Sequence, residues 1–71
     1  MWFLVELTVN YDGIAAPAIW QKPTYDDALM SLFQGVASAI ANPNVHSATF
    51  MIFNLSTGDV EKKETWVRRS A

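Results

Sequence analysis

Apolar and polar positions alternate with a period of two at the start of the chain and again past its middle. Between these stretches the period lengthens to that of a helix. From Trp2 to Tyr11, Phe3, Val5, Leu7, Val9 and Tyr11 fall on one face of a strand, and Trp2, Leu4, Glu6, Thr8 and Asn10 on the other. From Val45 to Leu55, Ala48, Phe50 and Ile52 point one way and Thr49, Met51, Phe53 and Leu55 the other. Both sides of that segment are apolar, as in a central strand covered on both faces. Thr24 to Ala41 places Tyr25, Leu29, Leu32, Phe33, Val36 and Ile40 at helical spacing on one face. Thr24 suits an N-cap, Asp27 three residues on completes a capping-box pattern, and Asp26 and Asp27 sit where the helix dipole favours negative charge. Asn42-Pro43-Asn44 ends the helix.

Two weaker segments complete the pattern. Asp12-Gly13 marks a tight turn, after which Ile14 to Trp20 returns as a strand. Pro17 confines it to an edge, and Ala15, Ala16 and Ala18 give it little strand propensity. Ser56-Thr57-Gly58-Asp59 marks a second turn, followed by Val60 to Arg69. The Glu61-Lys62-Lys63-Glu64 run suits an edge, where charge discourages unwanted pairing, and Trp66 and Val67 anchor it.

The order is β-β-α-β-β. The two apolar strands belong at the centre, which predicts one α+β domain: a four-stranded antiparallel sheet in the order 2-1-3-4 with one helix on one face. The Phe3 face of the first strand is expected to meet the helix. Trp2 and Leu4 then belong to the open face, together with Trp66 and either Met51 and Phe53 or their strand neighbours; which side of the third strand meets the helix stays open.

Composition sharpens this picture. The chain has 71 residues and no cysteine, 51% of it is hydrophobic, 17% is charged, and its net charge is −2. A domain this short buries only about 60% of its unfolded surface, and none of its residues can form a disulfide or thiolate site. The charged share is below the usual level of about 25%, which predicts apolar surface covered by a partner. The negative balance argues against nucleic acid and anionic membranes. No apolar run reaches the ~20 residues of a membrane span. Met1 to Val5 is apolar but lacks a preceding basic region and is interrupted by Glu6, so a cytoplasmic location is expected.

Candidate chemistry is sparse. His46 is the single histidine, and without cysteine a metal site would need carboxylates converging on it. Asp26 and Asp27 point about 100° apart on a helix, and their dipole position explains them. Asp12 and Asp59 belong to turns, and Gly13, Gly35 and Gly58 are too scattered for a phosphate loop. No enzyme, metal or cofactor is expected. Lys62, Lys63, Arg68 and Arg69 beside Trp66 offer phosphate contacts and a stacking ring, which would make a small nucleic-acid surface. A peptide added at a sheet edge is a third possibility. The favoured expectation is self-association, a homodimer first, through Trp2, Leu4, Met51, Phe53 and Trp66. A stripe of small residues, Ala28, Ser31, Gly35, Ser38 and Ala39, is read as outer helix surface and supports that expectation.

The segment Ala37-Ser38-Ala39-Ile40-Ala41-Asn42-Pro43-Asn44-Val45 and the hairpin from Met51-Ile52-Phe53-Asn54 through Gly58, Val60, Lys63, Glu64 and Trp66 resemble short proteins encoded by phages and mobile elements of Gram-positive gut bacteria. The resemblance covers the last two-thirds of the chain. It implies an accessory protein of a mobile element and assigns no residue a role.

Overall fold

The computed structural model describes residues 1–69. Five elements follow one another: β1 (Trp2–Asn10), β2 (Ala15–Lys22), α1 (Tyr25–Ala41), β3 (Val45–Asn54) and β4 (Asp59–Val67). The strands pair antiparallel throughout, in the order β2-β1-β3-β4. This is the α+β arrangement that the apolar pattern predicts, with the two strongest strands at the centre.

The connections are made by local chemistry. At the first turn the Gly13 N–H donates to Asn10 O at 2.9 Å, the Asn10 N–H donates to Ile14 O at 3.0 Å, and Asp12 Oδ1 accepts from the Ile14 N–H. Gly13 has φ +85°, a left-handed conformation that costs glycine nothing. β2 begins one residue later than its pattern predicts and runs two residues further, to Lys22. Its alanines are poor strand formers, so pairing with β1 holds it in place, and Pro17 sits opposite Leu7 on the edge. At the helix start Thr24 Oγ1 accepts from the Asp27 N–H at 3.0 Å and donates to Asp27 Oδ2 at 2.9 Å. Asp27 thus answers the cap through the hydroxyl.

The core lies between α1 and one face of the sheet. Leu4, Val45, Ala48, Phe50 and Ile52 of the sheet are buried against Ala28, Leu32 and Ala39 of the helix, with Trp2, Tyr25, Leu29, Val36 and Trp66 packed around them. Gly35 lies directly on Phe50: a Cβ there would come within 2.5 Å of the phenyl Cε1.

Two expectations are overturned by this packing. The first concerns β1, whose even-numbered side meets the helix. Register decides it: Leu4 pairs with Ile52 and Glu6 with Phe50, so β1 turns its even side the same way as the buried residues of β3. The second concerns the rotation of the helix. Its inward stripe is Ala28, Leu32, Gly35 and Ala39, flanked by Leu29 and Val36, whereas Phe33 is 53% exposed and Ile40 46% exposed. Small residues point inward because the helix backbone approaches the bulky Phe50 closely; large residues on that line would hold it away.

Candidate functional site: the open sheet face

The face of the sheet turned away from α1 is built from odd-numbered residues, joined by Val60 where the β3–β4 register shifts, and the strand registers set them in rows. One row joins Gln21, Phe3, Phe53 and Val60. The next joins Ile19, Val5, Met51 and Lys63. The third is Pro17, Leu7, Thr49 and Thr65, and the fourth Ala15, Val9, Ser47 and Val67. Phe3, Val5, Val9, Met51 and Phe53 are half-buried by one another, while Leu7, Ile19 and Val67 are 40%, 67% and 54% exposed. In these rows Lys63, on the edge strand, carries the charge. At one end Phe3, Val5, Ile19, Phe53, Leu55 and Gly58 surround a shallow hollow of about 350 Å³. Its polar members in these rows are Gln21, Ser47, Thr49, Thr65 and Lys63. What it offers is contiguous apolar area.

The expected interface residues divide between the two sides of the sheet. Met51 and Phe53 lie on the open face, as one of the two alternatives had them. Trp2, Leu4 and Trp66 do not: Leu4 is buried in the core, and Trp2 and Trp66 pack against it on the helix side. Trp2 stands edge-on to Tyr25 of the helix, with ring centroids 5.1 Å apart. The residues that replace them on the open face are Phe3, Val5, Leu7, Val9 and Ile19. Their apolar character was legible, since the odd side of β1 is apolar along its whole length, but that pattern suits burial under the helix as well as an open apolar face.

The basic residues near Trp66 are not gathered into one surface. Lys62 lies on the helix side of β4, pairs with Glu64 at 3.1 Å and sits 5.9 Å from the Phe33 ring centroid. Lys63 lies on the opposite face, across from Met51. Arg68 stacks over Trp66 at 4.7 Å and spends its donors on backbone carbonyls. Its Nε reaches Val45 O at 3.0 Å, and its Nη2 reaches Ala39 O at 3.3 Å, Ile40 O at 3.0 Å and Asn42 O at 2.9 Å. The last turn of α1 contains no basic residue, so Arg68 supplies from the far end of the chain the cation that a helix C-terminus favours. Arg69 is exposed.

His46 is exposed at the start of β3 and stands edge-on to Tyr11 at 5.2 Å. Among the described residues, no group of three or more His, Asp or Glu converges, and no helix is long and apolar enough to cross a membrane. No protein-family model, curated protein or solved structure matches this chain.

Proposed function

We propose that this protein is a non-enzymatic interaction protein that pairs with a second copy of itself through the open sheet face, as an accessory protein of a phage or mobile element. The observation that carries the pairing is the unbroken apolar centre of that face, Phe3, Val5, Leu7, Met51 and Phe53 on two adjacent strands, with charge only at its rim. The accessory role rests on the helix-end and hairpin residues alone.

Area supports the pairing. Four strands about 4.8 Å apart and roughly eight residues long, at about 3.3 Å per residue, present roughly 500 Å² per copy. Two copies would remove on the order of 1,000 Å² from water, about where specific interfaces separate from incidental contacts. A two-fold axis through the face matches the patch with itself. The result is a four-layer sandwich of helix, sheet, sheet and helix, its sheets about 10 Å apart. A domain near the lower size limit gains stability from such a partner.

Sedimentation equilibrium across low to high micromolar concentrations tests this. The expected mass rises to twice the 7.9 kDa of one chain. Val5→Glu, at the centre of the face, is expected to hold the protein at one chain mass with an unchanged circular dichroism spectrum, because pairing would strip water from a charge. A wild-type protein that stays at one chain mass at high micromolar concentration overturns the proposal. The nucleic-acid reading is disfavoured by the commitment of Arg68 to the helix end.

A further inference from the structure

Glu6 is an unusual residue for its position. It lies on the helix side of β1, and its cross-strand neighbours are Ala18 and Phe50. The helix packs mainly over β3 and leaves β1 partly uncovered. Between β1 and the C-terminal half of α1 runs a groove of about 280 Å³. Glu6, Thr8, Asn10, Ser38 and Asn42 supply its polar lining, and Gly35 and Ala39 keep its helix wall low. No cation among the described residues pairs with Glu6. Lys62 is taken by Glu64, two strands away, and Arg68 is taken by the carbonyls of Ala39, Ile40, Asn42 and Val45. Burial raises the Glu6 pKa above its ordinary value, as expected for a carboxylate that loses water and gains no partner. The carbonyl end of α1 adds negative potential beside the groove, part of which Arg68 offsets from the β4 side.

We infer that this groove is a binding site for a small primary amine, its ammonium group seated on the Glu6 carboxylate and the Ser38 hydroxyl and its short stem lying along Gly35 and Ala39. An ammonium group has three donors and no acceptor, which suits a groove lined by a carboxylate and hydroxyl oxygens. It neutralises a half-buried charge that no cation among the described residues pairs with. The volume is below that of a drug-sized pocket, so the ligand is a short-chain amine. One charge-assisted contact gives a Kd on the order of millimolar.

The test is a titration of 15N-labelled protein at pH 7 and low salt with ethanolamine, choline and ethylene glycol. Ethanolamine is expected to shift the amides of Gly35, Ser38 and Asn42 saturably. Choline keeps the charge but lacks N–H donors, and it is expected to bind several-fold more weakly; ethylene glycol is expected to leave the amides unmoved. Glu6→Gln keeps the side-chain shape, and its dispersed amide spectrum reports that the fold is intact. It is expected to weaken ethanolamine by about tenfold or more. Acidification through the Glu6 titration is expected to release the ligand. Absence of saturable shifts, equal binding by Glu6→Gln, or equal binding of choline or ethylene glycol each overturns the assignment. The groove lies across the sheet from the open face, so this result and the sedimentation result stand or fall separately.

Discussion

Gly35 is where a single missing atom matters most. Alanine is the better helix former by about 1 kcal/mol, so propensity alone favours Gly35→Ala. The added Cβ would meet the ring of fully buried Phe50 at 2.5 Å. Overpacking of that kind costs about 1–3 kcal/mol, which is enough to cancel or reverse the propensity gain. Gly35→Ala is expected to lower the urea midpoint; a higher midpoint would mean that the phenyl ring moves aside freely. Glu6 supplies the second prediction at this scale. Its folded-state pKa is raised, so the stability linked to its protonation is present at acid pH and is lost as pH rises through the folded value. Glu6→Gln does not lose it. The stability of Glu6→Gln relative to wild type is therefore expected to grow between pH 4 and pH 7 in paired denaturant titrations, and a constant difference would show that the carboxylate is well solvated.

Among the elements, α1 depends on residues far from it in sequence. Its N-terminus is capped locally by Thr24, but its C-terminus is served by Arg68, which follows β4. That contact ties the helix end, the start of β3 and the end of β4 together. Arg68→Ala removes several hydrogen bonds from a charged donor at once, and such bonds contribute about 1.5–3 kcal/mol each when fully formed. A loss of roughly 2 kcal/mol is expected by chemical denaturation. Faster hydrogen exchange at Asn42 and Val45, whose amides bond within that corner, would locate the effect. If Arg68→Lys recovers full stability, charge alone acts there and the planar fork does not.

For the whole molecule, the two sides of β1 have opposite tasks, and neighbouring residues expose the difference. Leu4 is 1% exposed beneath the helix, whereas Val5 lies on the open face. Leu4→Glu buries an unpaired charge and is expected to unfold the domain. Val5→Glu leaves the monomer folded and acts on pairing. Thermal melts followed by circular dichroism distinguish them: a cooperative transition for Val5→Glu and none for Leu4→Glu. Should both variants melt alike, the assignment of the two faces would be wrong.

Element types, their order, both glycine turns and the Thr24 cap follow from patterns within short segments, and the 2-1-3-4 order from ranking those segments by apolarity. These were legible because each depends on neighbours in the chain. Which side of β1 faces the helix was not legible, because both sides begin with large apolar residues and either could be buried. The pairing of Leu4 with Ile52 settled it, and that register is set by residues nearly fifty positions apart. The helix rotation was misread for a related reason. Bulk in Phe33 and Ile40 marks a side as apolar, but Ala28, Gly35 and Ala39 mark where a helix can come closest to a sheet, and the sheet must be present to show which is needed. Arg68 read as a surface cation because nothing near it in sequence announces the carbonyls it serves. The sequence by itself thus determined what each segment is. The tertiary structure decided which face each segment buries, since burial depends on contacts between segments that local periodicity does not encode.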